Sequence, residues 1–238
     1  MIKTRFFLIL LVTLCIVCNG CTSSPSRIEG REEKEFNLKS LGKGDIDTVL
    51  DIHVREAREY CRLLMEKLYK RNPRELAKNP VKSVDSILER VFGKNHNWEF
   101  TELDNIKGID AIRLALSNDY EGDRVFVFIV GLTSMIMDSY EYKVDFYMFD
   151  DVDPQKLYNS ARNIEIAVWK VEHDLDANGE LFLYTNSLPG EETNLSYERL
   201  FGKLIAIQDT MALIMEQKTN RVIKKVLQRM ATAVFLPI

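Results

Sequence analysis

Between residues 174 and 181, oxygen-bearing side chains fall at alternate positions: Asp174, Asp176, Asn178 and Glu180. A chain curling round a hard cation presents its ligands at that spacing. Gly179 permits the sharp bend, and Leu181 supplies an apolar residue to pack behind it. The chemistry expected of such residues is calcium coordination. The same letters also reverse a chain after a helix, because Asn-Gly favours a tight turn. Other chemistry is sparse. Gly131-Leu132-Thr133-Ser134 has the wrong spacing for a nucleophile elbow and sits in an apolar run. His53, His96 and His173 are scattered, with no pair four residues apart to hold zinc. No glycine-rich phosphate loop is present, and no Glu-Ser pair marks the acid of a lytic transglycosylase.

The 174–181 segment resembles the first half of an EF-hand calcium loop. That resemblance implies a bidentate Glu at the twelfth loop position, where this chain has Thr185. The donor set is short unless Glu191 or Glu192 folds back.

Cysteine chemistry divides by position. Lys3 and Arg5 precede an apolar run from Phe6 to Val17, followed by Cys18-Asn19-Gly20-Cys21-Thr22. A positive head, about a dozen greasy residues and a small-residue exit describe a secretory leader, residues 1–20. The run is too short for a bilayer core, which needs about 20 residues. Gly20-Cys21 resembles the cleavage and acylation site of bacterial lipoproteins, although Cys18 and Asn19 replace the usual Leu and small residue. The resemblance implies lipid of the palmitate class on Cys21, and Thr22 in place of Asp implies sorting to an outer membrane. Several acyl chains make an effectively permanent anchor. An ordinary secretory signal cut at the same bond would instead leave Cys21 as a thiol. Cys15 and Cys18 leave with the leader. Cys61 then has no intramolecular disulfide partner once Cys21 is acylated.

The elements that must position these residues read as helices. Residues 21–44 are turn-rich and charged, a flexible lipid-anchored tether. Residues 45–238 read as a single helical domain, large enough to bury a core. Leu50, Val54, Ala57, Cys61, Leu64 and Leu68 recur at three- and four-residue steps, which places Cys61 on the buried stripe of a helix capped by Asp47. Asn72-Pro73 breaks that helix. Short helices follow from Ser83 to Gly93 and over 109–116. Val125 to Met137 is the greasiest stretch of the domain. It reads as a central apolar helix covered on every side, although Val125 to Val130 alone also fits a buried strand. Asp153-Pro154 starts a helix reaching His173. Ser196 opens another, with Leu200, Leu204, Ile207, Met211 and Ile214 inward. Val222, Ile223, Val226, Leu227 and Met230 suggest a last one. Alternation over 142–149 and a run over 181–184 predict two short strands that pair. The expected fold is mainly α: a multi-helix bundle around a central apolar helix (125–137), with a small two-stranded β element.

The net charge is −4 over 238 residues, which argues against nucleic acid as a partner. From Arg55 to Lys82 there are nine basic and four acidic residues. From Trp98 to Asp153 there are four basic and thirteen acidic. Solvated helix faces with Glu–Arg pairs account for most of this. The expected role is a lipid-anchored binding or assembly component of the cell envelope, touching the membrane through its lipid and an envelope protein as partner. An envelope hydrolase with carboxylate catalysis and a carrier of an apolar ligand are the alternatives. A cleft with one buried and one solvated carboxylate would mark the first, and a closed dry cavity the second.

Overall fold

Apolar residues at helical spacing dictate the architecture of the computed structural model, which describes residues 43–94, 96–187, 190–192 and 194–238. The expected leader, Cys21 and the expected tether as far as residue 42 lie outside the described residues. Seven α-helices carry the described chain: α1 (Asp45–Arg71), α2 (Pro73–Lys78), α3 (Val84–Leu88), α4 (Gly108–Ala115), α5 (Arg124–Asp138), α6 (Pro154–His173) and α7 (Ser196–Thr219). Glu89–Gly93 continues α3 as a wider π-type turn. The described residues, from Lys43 on, make one compact unit.

The α1 stripe is buried as its spacing requires, with Leu50, Val54, Ala57, Cys61, Leu64 and Leu68 almost fully shielded. The helix starts two residues before Asp47. Gly44 is the N-cap, and Asp47 reaches back to accept its N–H at 2.8 Å. Asn72 ends the helix and holds the chain from two sides. Its amide donates to Leu68 O and Tyr184 O, and its oxygen accepts Tyr184 N–H at 2.8 Å. Pro73 then opens α2, needing no N–H of its own.

Residues 125–137 form the body of α5 and are all buried. The helical reading prevails over the strand because Asp123 caps the segment, its Oδ1 accepting Phe126 N–H at 3.0 Å. The helix packs on α1, α2, α4 and α6. Its hydroxyls turn back on the helix itself: Thr133 Oγ1 donates to Ile129 O at 2.7 Å and Ser134 Oγ to Val130 O at 2.5 Å. Each large apolar side chain buried this way contributes about 1.5–3 kcal/mol. Gly131 lets α4 lie close; a Cβ there would stand 2.7 Å from Ile112 N.

Asp153 caps α6 through Gln155 N–H at 2.9 Å, with Pro154 in the first turn. The inward face of α7 departs from the expected stripe. Gln208 and Met215 are fully buried, whereas Ile207 and Ile214 are only partly so. Gln208 joins three elements: it accepts Tyr140 O–H at 2.7 Å and donates to Ser139 Oγ at 3.0 Å and Ser160 Oγ at 2.8 Å.

Two expectations fail. No strand occurs among the described residues, so the two-stranded β element is absent there. Residues 142–149 run as turns and bends, because Glu141 and Tyr142 take left-handed backbone (φ 54° and 56°) and Phe146 N–H is taken by Asp51 Oδ1 at 2.8 Å. Only Phe146 of the apparent apolar face is buried; Val144 and Met148 are exposed. Phe182 and Leu183 are both buried although adjacent, which no one-sided strand allows. The last helix is also missing. After Asn220, left-handed at φ 54°, the chain runs extended along α6 apart from one short turn at Met230–Thr232. Side chains of α6 take its main chain. Gln155 bonds both the N–H and the C=O of Lys224, Tyr158 those of Val226, and Asn163 those of Leu236.

Candidate functional site

Two adjoining cavities form a groove between α1, the 92–98 segment and the 142–145 turn. One of about 610 Å³ is lined by Asp51, Arg55, Glu56, Arg58, Glu59, Arg62 and Asp145 with Val54, Phe92 and Val144. The other, about 410 Å³, shares Arg58, Phe92 and Val144 and adds Lys94, His96, Asn97, Trp98, Met137 and Tyr142. These volumes suit a small molecule or the end of a larger one.

Arg58 stands where the cavities meet. It lies on the flank of the α1 stripe, beside buried Ala57 and Cys61, and is itself half-buried. One Nη2–H goes to Phe92 O at 3.0 Å. Burial pulls its pKa below the ordinary guanidinium value, yet an arginine stays charged. The groove's carboxylates are matched to other cations. Glu59 takes both forks of Arg62 at 2.8 Å, Glu56 lies 3.6 Å from Arg55, and Lys43 pairs with both Asp51 and Asp145. Among the described residues no carboxylate comes within ion-pair distance of Arg58 or of exposed Lys94.

The aromatic wall is held in an uncommon backbone. Asn97 and Trp98 have φ of 51° and 61°, and across the groove Glu141 and Tyr142 have 54° and 56°. Bulky residues rarely take this left-handed region, and each such residue costs about 1–3 kcal/mol. The 97–98 turn is fixed by His96. Trp98 N–H donates to His96 Nδ1 at 2.9 Å, so the ring proton sits on Nε2, which faces Val91 O at 2.8 Å. Lys107 links the two strained pairs: its Nζ donates to Asn97 O at 3.4 Å and lies 5.0 Å from the Tyr142 ring centre. Phe92 meets Trp98 edge to face at 6.2 Å.

The bond from Arg62 holds Glu59 below the usual carboxylate range. The carboxyls pushed upward by burial, Asp123, Glu165 and Glu172, line neither cavity. Asp123 and Glu75 are the buried acids of the α5 N-terminus. Asp123 Oδ2 accepts Tyr69 O–H at 2.7 Å and Asn79 Nδ2 at 2.8 Å, and Glu75 accepts Arg124 N–H at 2.9 Å. These bonds cap a helix.

At the residues expected to hold calcium, Asp176 Oδ1 accepts Asn178 N–H at 2.8 Å and Glu180 N–H at 3.0 Å. The first of the causes holding its pKa down is the Glu180 bond. Asp174 meets Lys170 at 3.2 Å and Glu180 lies 3.7 Å from Arg74. A single bridge, Leu175 to Leu181, closes the turn, with Gly179 at φ 80°. The Asp176 side chain thus serves a chain reversal after α6, while Asp174 and Glu180 are paired with cations. Among the described residues no three His, Cys, Asp or Glu side chains converge as a metal site. Cys61 is a buried free thiol whose pKa burial pushes up to about 12, which removes the nucleophilic thiolate. No described helix is long and apolar enough to cross a membrane.

Arg58, Trp98 and Tyr142 escape sequence reasoning. They are 40 or more residues apart, and aromatic residues read as core. An arginine set against the edge of an apolar stripe was the available signal. The chain matches no protein-family model. No curated protein and no solved structure is detectably similar to it.

Proposed function

We propose that this chain is a lipid-anchored component of the bacterial cell envelope that binds a ligand or partner without transforming it. Cys21 carries the acyl chains, and the tether runs from there to about residue 42. It stops short of the expected 44 because Lys43 pairs with Asp51 and Asp145 and Gly44 caps α1. The domain is a helix bundle arranged around α5. In a cell with two membranes it sits on the outer one, facing the periplasm. The groove at Arg58 is its binding surface. One observation carries this reading: two pairs of strained residues, 97–98 and 141–142, flank a half-buried arginine that no carboxylate among the described residues neutralises. Strain of that kind is retained where the surroundings over-determine it, and such places are often ligand sites. The burial of residues 125–137 and their packing on four helices support the bundle.

The test uses the full chain in a bacterium that processes lipoproteins. Cys21→Ser should abolish incorporation of labelled palmitate and move the protein from the membrane to the soluble fraction. An unlabelled wild-type protein in the soluble fraction would remove the anchor from the account. Capture of envelope partners in mild detergent should be strong for wild type and lost for Arg58→Met. Equal capture by both would move the binding surface elsewhere.

A further inference from the structure

We propose that the groove grips the carboxylate of a small organic acid on Arg58 while the acid's apolar or aromatic body lies against Phe92, Trp98 and Tyr142. The inference rests on the reading of the groove as a binding surface and goes further by assigning the ligand's chemistry. A guanidinium presents a planar fork of donors that matches a carboxylate two bonds at a time. Arg58 spends one donor on Phe92 O, so the rest of the fork is available. A half-buried cation attracts a counter-charge more strongly than an exposed one, since water screens it less.

The surrounding charges choose the anion. Asp51, Glu56, Glu59 and Asp145 line the same cavity and are each paired with Lys43, Arg55 or Arg62. Asp51 and Asp145 share Lys43, so with Arg58 the first cavity is already neutral. Lys94 of the second cavity is the one cation in excess among the described lining residues, and a single negative charge between Arg58 and Lys94 completes that balance. A phosphate, with its second charge, would face the nearby carboxylates. Beyond Arg58 the second cavity has no carboxylate among its described lining, and Phe92, Trp98, Met137 and Tyr142 line it together with Lys94, His96 and Asn97. The left-handed turns at 97–98 and 141–142 fix two of those rings before any ligand arrives. A preformed wall loses little freedom on binding.

Calorimetry on the processed, full-length protein in mild detergent tests this with four probes. They are 3-phenylpropionate, its neutral counterpart 3-phenylpropanol, octanoate and phenyl phosphate. The acid should bind at least about tenfold more tightly than the alcohol. Phenyl phosphate should bind more weakly than the acid, and octanoate separates an aliphatic from an aromatic source of the same carboxylate chemistry. Arg58→Met should weaken the acid about tenfold or more and leave the alcohol unchanged, with Arg58→Lys intermediate. A merely structural role for Arg58 would weaken acid and alcohol alike. The acid–alcohol comparison in the wild type stands even if Arg58→Met does not fold. Equal affinity for acid and alcohol overturns the carboxylate assignment but keeps the groove, as does tighter binding of phenyl phosphate. No heat from either acid at about 10 mM also overturns it; partner capture then decides separately whether the groove binds anything.

Discussion

Asp123 shows how much one side chain can organise. It caps α5, accepts from Tyr69 and Asn79, and lies 6 % exposed beside Glu75. Burial, the largest influence, lifts its pKa above the ordinary carboxylate value, against the opposing hydrogen bonds. The folded protein therefore holds this proton more tightly than the unfolded chain does. Its contribution to stability is full below about pH 4 and is lost as pH rises through the raised value. Urea titrations at several pH values should show the wild type losing stability relative to Asp123→Asn over that interval. A gap constant with pH would mean that burial does not govern this carboxyl.

At the scale of elements, α4 and α5 touch so closely that one hydrogen matters. Gly131→Ala would set a Cβ 2.7 Å from Ile112 N and 2.8 Å from Gly108 O, atoms of backbone that cannot swing aside. Overpacking of about 1–3 kcal/mol should outweigh the helix propensity gained, about 1 kcal/mol. Gly202, exposed in α7, has nothing within 4 Å of the same atom. Gly202→Ala should therefore stabilise by about 0.5–1 kcal/mol. Thermal melting should move down for the first and up for the second, and a rise for Gly131→Ala would refute the close contact. Helices with one clear stripe or strong punctuation were legible in the sequence: α1, the start at Asp153-Pro154, the break at Asn72-Pro73. Illegible were stretches whose apolar letters fitted a period but whose backbone was claimed by distant side chains. Val222 to Met230 has helical spacing, yet Gln155 and Tyr158 take the main chain at Lys224 and Val226. Residues 142–149 alternate, yet Asp51 takes Phe146 N–H.

For the molecule as a whole, the C-terminal segment is fastened late in sequence and by few atoms. Asn163, fully buried, holds Leu236 by two bonds, and Asn159 donates to Pro237 O at 2.8 Å. Asn163→Ala should free residues beyond about 227 without melting the helices, since local opening draws on the least protected backbone. Trypsin should cut after Arg229 about tenfold faster, with the rest of the chain intact by mass spectrometry. An unchanged cutting rate would show that the clamp is not what holds the segment. The groove is a property of this same scale. Its parts come from α1, residues 92–98 and residues 142–145, and no local pattern announces that they meet.

Those clamps grip peptide groups and ignore what hangs from them. Leu227 is 99 % exposed and Val222 84 %. The itinerary of the final stretch is thus written largely in α6, with Ile223 and Ala233 buried and Phe235 and Ile238 packed on the core as its own few anchors. Its outward positions, Val222 and Leu227 among them, can be rewritten to carry a label or a new contact while the route beneath them stays the same.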